Sequence, residues 1–314
     1  MAASAALVAP SPVHPGDPGS RPRRRRPAPF SWLALVASHR THARAGRHPT
    51  GPVPVTAPRP ATRLLAPTAT PAVVAHRGNS SVAPQNTLAA LESACRAGAD
   101  AVEIDLQLTA DGVAVVLHDA TVDATTDGSG RVAALTADRL RNLDAGAWFA
   151  PAFEGQRVPT FTEVLGLLAR HPGTDLLLEL KDAWSPDDVR AVADAIDAAG
   201  FSDRVVVQSF WPDTVAAARD VAPHLPRGLL VAFEPSDLRA VCAGLGVVAC
   251  NPSARMVAGD PTLVARLQNA GLRVMVWTEN DPAAWAVLSG ATGRPAVDAI
   301  ITDRPDRLLG WLAR

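Results

Sequence analysis

Residues 101–119, AVEIDLQLTADGVAVVLHD, contain the pattern from which the rest of the predicted fold follows. Apolar and polar residues alternate along 101–108 and again along 113–117, which is typical of strands with one buried face. The four residues between these segments, TADG, have the composition of a tight turn. The stretch therefore predicts an antiparallel hairpin of two strands.

This hairpin brings three ionisable side chains together. A four-residue turn pairs Leu108 with Val113 and places Glu103 opposite His118. Because side chains alternate faces along a strand, Glu103 and Asp105 share one face, about 6–7 Å apart. Two carboxylates at that distance repel each other unless a proton or a cation relieves them, and hard divalent cations prefer carboxylate oxygens. We interpret this face as a candidate cation site; the alternative is a solvated polar face.

Strands and helices alternate along the chain from about residue 71. Eight strand–helix units over about 240 residues are typical of a parallel (β/α)8 barrel. An open doubly wound sheet also alternates, but the chain lacks the glycine-rich dinucleotide fingerprint of such sheets. The predicted fold class is an α/β (β/α)8 TIM barrel with a small insertion at about 120–160, after the early hairpin. The predicted barrel strands are 73–75, 101–106, 175–180, 205–209, 228–232, 247–250, 273–277 and 299–302.

The first 70 residues differ from the rest of the chain in composition. Ten Arg and one acidic residue, Asp17, give this segment a charge of +9, which leaves the remainder at −10 in a chain of net charge −1. A Pro- and Arg-rich segment without apolar periodicity predicts a disordered basic extension over 1–70, followed by the barrel over 71–314. The alternative is an export signal, because a short apolar run at 30–37 follows Arg23–Arg26.

The composition argues against several classes of protein. An acidic globular part is atypical of nucleic-acid binders, so we expect no nucleic-acid partner. Cys95, Cys242 and Cys250 have neither the number nor the spacing of a disulfide framework or a zinc site, and they fit a reducing, cytoplasmic location. No apolar run approaches the ~18 residues that a transmembrane segment requires. We expect a small-molecule substrate, and the sequence leaves the oligomeric state open.

The predicted strands end in polar residues, and a barrel enzyme carries its site at the carboxyl ends of its strands. One of these residues, Lys181, is the only lysine beside 29 arginines, which indicates a position that requires a compact charge. The polar or aromatic residues at the predicted strand ends, or delivered there by the hairpin, are His76, Arg77, Glu103, Asp105, His118, Glu179, Lys181, Gln208, Asn251, Trp277 and Asp303.

Three of these residues are candidate metal ligands. Glu103, Asp105 and Glu179 would form a site of carboxylate oxygens, which suits one Mg²⁺ or Ca²⁺ ion rather than zinc. A divalent cation at this position would neutralise an anionic substrate. The sequence does not distinguish between the two metals.

The remaining candidates suit the cleavage of a phosphodiester. Arg77 and Lys181 supply positive charge for a phosphate group. His76 and His118 suit general acid and general base catalysis near neutral pH. Trp277 offers a flat apolar wall for the organic part of a substrate, with packing in the core as the alternative. Together with a metal ion, these residue types indicate metal-assisted phosphodiester hydrolysis.

The chain resembles the glycerophosphodiester phosphodiesterase family over roughly residues 72–312, in order and at matching spacing. Residues 1–70 have no counterpart in that family. The motifs that carry the resemblance are His76-Arg77-Gly78, Pro84-Gln85-Asn86-Thr87, Glu103-Ile104-Asp105, Thr109-Ala110-Asp111-Gly112 with His118-Asp119, Leu178-Glu179-Leu180-Lys181, Gln208-Ser209-Phe210, Trp277-Thr278 and Ile301-Thr302-Asp303-Arg304-Pro305.

The resemblance implies a TIM barrel whose insertion caps the active site. It also implies a reaction in which the 2-hydroxyl of the substrate glycerol attacks phosphorus, a cyclic phosphate forms and the alcohol leaves. Water then opens the ring, and the products are sn-glycerol 3-phosphate and an alcohol such as choline or ethanolamine. The implied residue roles are a divalent cation at Glu103, Asp105 and Glu179, acid–base catalysis by His76 and His118, and phosphate binding by Arg77 and Lys181.

Two positions depart from the family pattern. Gln85 stands where the family usually has Glu, which removes a charge near the site. Glu279 stands where an apolar residue often precedes Asn280, which bears on what the pocket accepts.

The sequence leaves two alternative functions open. One is a related barrel phospholipase acting on lysophospholipid or sphingolipid head groups, and the other is a catalytically inactive barrel that binds phosphate.

Overall fold

Eight parallel strands close into a barrel in the computed structural model, which describes residues 62–314. Neighbouring strands pair in the order β1-β9-β8-β7-β6-β5-β4-β2, and a β1–β2 pairing closes the ring. The predicted TIM barrel is confirmed, including its last strand. The strands are β1 (Ala72–His76), β2 (Ala101–Leu108), the antiparallel β3 (Ala114–Val116), β4 (Asp175–Leu180), β5 (Val205–Ser209), β6 (Arg227–Val231), β7 (Ala249–Pro252), β8 (Arg273–Val276) and β9 (Ala299–Thr302).

Several of the helices that follow the strands begin at a residue whose side chain caps the helix. Thr87 accepts a hydrogen bond from the Ala90 N–H at 3.3 Å at the start of the first helix, and Gly98 ends it in the left-handed conformation. Proline occupies the first position of four helices. The helices are α1 (Leu88–Ala97), α2 (Ala137–Arg141), α3 (Phe161–Ala169), α4 (Pro186–Ala198), α5 (Pro212–Val221), α6 (Leu238–Leu245), α7 (Ala254–Gly259), α8 (Leu263–Asn269), α9 (Pro282–Leu288) and α10 (Pro305–Leu312).

The hairpin register differs from the prediction by one residue. Leu108 pairs with Ala114, not with Val113. The Thr109 N–H donates to the Val113 carbonyl at 3.0 Å, and the Thr109 hydroxyl accepts a bond from the Val113 N–H at 3.0 Å. The turn therefore contains three residues, with Gly112 at φ 76° in the left-handed conformation that such a turn requires.

The corrected register changes the neighbours of the predicted site residues. The β2–β3 ladder ends at Val116, so the predicted pairing of Glu103 with His118 is wrong. Glu103 instead pairs with His76 of β1. The Leu117 N–H still donates to the Asp105 carbonyl at 3.0 Å, which holds the start of the loop that carries His118.

Strand β7 lies two residues later than the predicted strand at 247–250. Val247 belongs to the end of α6, because its N–H donates to the Cys242 carbonyl after Gly246 adopts φ 59°. An apolar residue in that position is a common part of a helix C-cap. As a consequence, Asn251 lies within the strand and inside the fold, where it is fully buried.

Residues 62–66 close the end of the barrel opposite the site, although they fall within the predicted extension. The Leu64 side chain is 1% exposed and packs against the apolar interior of the barrel. The Arg63 N–H donates to Asp175 at 2.7 Å, and Arg273 donates to the Leu65 carbonyl at 2.7 Å. Residues 1–61 of the predicted extension, including the alternative export signal, lie outside the described residues.

The insertion after the hairpin has a small apolar core of its own, built around Val122, Val132 and Leu140. Backbone hydrogen bonds tie this core to the hairpin: Ala110 N–H donates to the Leu135 carbonyl at 2.8 Å, and Val116 N–H donates to the Pro159 carbonyl at 2.8 Å. The insertion therefore supports the hairpin loop from one side. It lies between β3 and α3.

Cys95, Cys242 and Cys250 are buried free thiols. Among the helices of residues 62–314, none has the length and apolar character to cross a bilayer.

We predict that Gly78→Ala destabilises the barrel more than Gly98→Ala. Both glycines have positive φ, which costs a non-glycine residue about 1–2 kcal/mol. A Cβ at Gly78 would also lie 2.5 Å from the backbone of Ala90, whereas one at Gly98 would meet nothing within 4 Å. Urea unfolding should show an additional loss of about 1–3 kcal/mol for Gly78→Ala. Equal losses for the two variants would contradict the close packing of α1 on this loop.

Candidate active site

Three buried carboxylates lie at the carboxyl ends of β2 and β4. One oxygen from each of Glu103, Asp105 and Glu179 lies within 4.8 Å of the others. The two strands are neighbours in the barrel, and Asp105 pairs directly with Glu179. The three residues are only 2%, 1% and 5% exposed, respectively. The structure thus brings together the three predicted metal ligands.

Burial and mutual repulsion control the protonation of this cluster. Burial, followed by the charges of Asp105 and Glu179, raises the pKa of Glu103 well above its usual value. Burial and the Asp105 charge raise the pKa of Glu179 to about 7. Burial also acts to raise the pKa of Asp105, but the charges of Lys181 and Arg77 outweigh it and lower that pKa. Near neutral pH the cluster therefore requires bound protons or further positive charge.

Two basic side chains supply part of that charge. The Lys181 Nζ lies 2.8 Å from Asp105 Oδ1 and 2.6 Å from Glu179 Oε1. The Arg77 side-chain Nε lies 3.2 Å from Asp105 Oδ2, while the backbone N–H of Arg77 donates to Glu103 Oε2 at 3.1 Å. Three ionised carboxylates against two cations leave one negative charge uncompensated. A divalent cation would change the net charge of the site from negative to positive, which favours the binding of an anion.

The donor set fits a hard divalent cation. The cluster contains only carboxylate ligands, which suit Mg²⁺ or Ca²⁺. Asn86, held at φ 58°, donates its Nδ2–H to Asp105 at 2.8 Å and so fixes that carboxylate. The Asn86 Oδ1 is buried and has no hydrogen-bond partner within the described part of the chain. It is a free acceptor beside the cluster.

Both predicted catalytic histidines line the pocket that contains Glu103, Glu179 and Lys181. Each imidazole is held at Nδ1 by a carboxylate: His76 by Asp303 at 2.7 Å and His118 by Asp119 at 2.7 Å. These contacts leave the Nε2 of each ring available for a ligand. Burial lowers the pKa of His118, which favours its neutral form.

The opposite part of the pocket is apolar. Phe210 and Trp277 meet edge to face with ring centroids 5.1 Å apart, and Leu230 and Ile301 line the pocket beside them. The Trp277 indole N–H donates to the Asn251 carbonyl at 2.7 Å, which fixes the ring. Trp277 is partly exposed, so it is a wall of the pocket in addition to packing against the barrel core.

The two departures from the family pattern have local explanations. Gln85 Oε1 accepts a hydrogen bond from the Arg77 guanidinium, so the neutral side chain still positions that cation. Glu279 Oε1 accepts hydrogen bonds from the Asn280 and Asp281 N–H groups at 2.8 Å each. Its carboxylate thus caps the turn that leads into α9 and is not one of the side chains that line the pocket.

Sequence reasoning gave no role to Asp303 and Phe210, although both stand in the motifs quoted above. Asp303 follows the last strand and contacts His76, 227 residues earlier. Asp303 and His76 become neighbours only when the barrel closes. In the sequence, the only indication of a role for Asp303 was that a carboxylate follows the end of a strand. Phe210 follows β5, and its contact with Trp277 likewise depends on the packing of strands distant in sequence.

Comparison with known proteins gives the same family for sequence and structure. A model of the "Glycerophosphoryl diester phosphodiesterase family" matches residues 76–307. A glycerophosphodiester phosphodiesterase of Caldanaerobacter subterraneus subsp. tengcongensis is 34% identical over 246 residues, covering 77% of this chain and 98% of the relative.

Solved structures agree with these sequence matches. A phosphodiesterase of Oleispira antarctica, solved in complex with the product sn-glycerol 3-phosphate, superposes with a TM-score of 0.73 at 28% identity, covering 78% of this chain and 98% of that one. A glycerophosphodiester phosphodiesterase of Agrobacterium tumefaciens superposes with a TM-score of 0.66 at 30% identity, covering 76% and 99%. The chain therefore belongs to the glycerophosphoryl diester phosphodiesterase family and is a phosphoric diester hydrolase.

Proposed function

We propose that this protein hydrolyses glycerophosphodiesters to sn-glycerol 3-phosphate and an alcohol. The observation that carries the proposal is one pocket that joins two kinds of surface. Carboxylates, two cations and two histidines form its charged part, and aromatic and aliphatic side chains form the rest. A phosphodiester of glycerol has the matching chemistry, with an anionic phosphate beside a small carbon skeleton.

We infer that Glu103, Asp105 and Glu179 hold one divalent cation, either Mg²⁺ or Ca²⁺. The buried oxygen ligands, the raised pKa of Glu179 and the uncompensated negative charge support this assignment. When bound, such a cation supplies positive charge that neutralises phosphate oxygens and stabilises the charge that develops in the transition state.

Arg77 and Lys181 are the proposed phosphate-binding residues. The Lys181 side chain is 15% exposed, so its ammonium is largely removed from water and attracts a nearby anion more strongly than a solvated lysine would. The Arg77 guanidinium is held by Gln85 and Asp105, which limits its freedom before a substrate arrives. Trp277 and Phe210 would contact the carbon skeleton of the glycerol or of the leaving alcohol.

His76 and His118 are the proposed acid–base pair. One neutral imidazole accepts the proton of the substrate 2-hydroxyl as that oxygen attacks phosphorus. The other, protonated, donates its proton to the oxygen of the departing alcohol, and a five-membered cyclic phosphate forms. In the second half the roles reverse: a water molecule loses a proton to one imidazole, attacks phosphorus and opens the ring, while the 2-oxygen regains a proton.

Two alternatives remain distinguishable from this proposal. A barrel phospholipase would accept a long acyl chain, and an inactive phosphate-binding barrel would lack part of the acid–base machinery. Both histidines line one pocket with Glu103 and Glu179, and Asp105 lies against those two carboxylates, which favours catalysis over binding alone. The short apolar part of the pocket favours a small alcohol over a lipid.

We expect glycerophosphocholine and glycerophosphoethanolamine to be cleaved with kcat/KM about tenfold or more above that of lysophosphatidylcholine, because the pocket offers few apolar side chains. Release of choline, detected with choline oxidase, measures cleavage of both choline diesters, and release of glycerol 3-phosphate, detected with a coupled dehydrogenase, measures cleavage of glycerophosphoethanolamine. Chelation with EDTA should abolish turnover, and Mg²⁺ or Ca²⁺ should restore it. Preference for the lysophospholipid would favour the phospholipase, and no turnover of any diester would favour an inactive barrel.

We predict that His118→Ala lowers kcat by at least about 10³-fold, since it removes one proton-transfer group. Its side chain is 36% exposed, so the melting temperature should change little. His224→Ala is the matched control, because His224 is equally exposed and also pairs with an aspartate, Asp197. Near-normal kcat for His118→Ala would rule out its proposed role.

A further inference from the structure

We infer that Asp303 is the positioning residue for His76, fixing the tautomer and orientation of that imidazole for proton transfer. This inference rests on the proposed role of His76 in the phosphodiesterase reaction. Asp303 Oδ1 lies 2.7 Å from His76 Nδ1. The contact joins the end of β1 to the residue that follows β9.

Asp303 is itself held in place by a network of donors. The Asn280 Nδ2–H donates to Asp303 Oδ2 at 2.7 Å, and the Ser80 hydroxyl donates to Oδ1 at 3.1 Å. Asn280 Oδ1 accepts hydrogen bonds from the Asp303 N–H at 2.9 Å and from the Thr302 hydroxyl at 2.8 Å. Each of the two carboxylate oxygens therefore has at least one donor, and the carboxylate has little freedom to rotate away from His76.

These contacts keep Asp303 ionised. Burial alone would raise its pKa, but the hydrogen bonds and charge from His76, together with Asn280 and Ser80, lower the pKa to about 2. An ionised carboxylate has no proton to donate, so His76 Nδ1 must carry the hydrogen of this bond. The neutral ring is then the Nδ1–H tautomer, and its Nε2 is the atom free to exchange a proton with a ligand.

The second histidine has weaker support. His118 Nδ1 contacts the carboxylate of Asp119, its neighbour in the chain, at 2.7 Å. The Asp119 side chain is 46% exposed, and that of Asp303 is 35% exposed. The Asp303 carboxylate is anchored by Asn280 and Ser80 in addition to His76. In the described part of the chain, the Asp119 carboxylate has a side-chain hydrogen bond to His118 alone. We therefore expect catalysis to depend much more on Asp303 than on Asp119.

The position of Asp303 also links catalysis to barrel closure. Ala75 of β1 pairs with Thr302 of β9, and these residues directly precede His76 and Asp303 in the two strands. The backbone pairing of β1 with β9, the first and last strands of the barrel in the chain, thus sets the distance between imidazole and carboxylate. The last strand therefore contributes to the site through the residue that follows it.

The test compares Asp303→Asn with the matched control Asp119→Asn. Removing the orienting carboxylate of a catalytic histidine in a hydrolase triad lowers kcat by about 10⁴-fold, and we expect about 10²- to 10³-fold for this partly exposed residue. KM for glycerophosphocholine should change less than about threefold, because substrate-binding groups remain in place. Asp119→Asn should lower kcat by less than about tenfold.

A second readout follows the imidazole directly. Proteins labelled with ¹⁵N-histidine should give the nitrogen shifts of the Nδ1–H tautomer for His76, assigned by comparison with His76→Gln. Asp303→Asn should shift these signals toward the Nε2–H tautomer, and Asp119→Asn should leave them unchanged. A role in stability alone would alter the melting temperature without this pattern.

Unchanged kcat in Asp303→Asn, an effect confined to KM, or an Nε2–H tautomer in the wild type would overturn the inference. If Asp303→Asn does not fold, Asn280→Ala loosens the same carboxylate and should lower kcat by about tenfold; no change there would equally overturn it. Wild-type protein that cleaves no glycerophosphodiester would refute the proposed function instead, and the tautomer measurement would still decide the Asp303 contact.

Discussion

The mutual repulsion of three buried carboxylates is the constraint on which the site depends. Glu103, Asp105 and Glu179 approach one another within 4.8 Å in a region closed to bulk water. Such a cluster is stable only when positive charge surrounds it. Lys181 and Arg77 provide two charges, and the remaining deficit explains why the raised pKa values fall on the glutamates, which have fewer basic neighbours than Asp105.

The barrel separates the tasks of this site by strand. β1, β2 and β4 carry the charged residues, whereas the loop after β5 and the strands β6, β8 and β9 contribute the apolar wall. His118 does not follow a parallel barrel strand. It follows β3, and the hairpin and the insertion hold it in place. The two histidines thus reach one pocket on supports of different rigidity, one inside the barrel wall and one on an added loop.

Sequence periodicity was sufficient to predict the eight strands and the carboxylate cluster, because alternation identifies faces and strand ends meet at one rim. Periodicity did not predict the hairpin register. A hydrogen bond from the Val113 N–H to the Thr109 hydroxyl favours a turn of three residues over one of four. The start of β7 was also predicted wrongly, because Val247 is part of the C-cap of α6. Contacts such as His76 with Asp303 depend on barrel closure, and a linear pattern contains no information on that distance.

Titration calorimetry of Mg²⁺ and Ca²⁺ into metal-free protein tests the central claim most directly. The account predicts one cation per chain, bound at least about tenfold more weakly at pH 6 than at pH 8, because Glu179, with a pKa of about 7, and Glu103, whose pKa is also raised, must be ionised to bind metal. Glu103→Gln should weaken binding by at least about 100-fold. Absence of binding, or affinity that is independent of pH and unchanged in Glu103→Gln, would contradict a shared cation at these carboxylates.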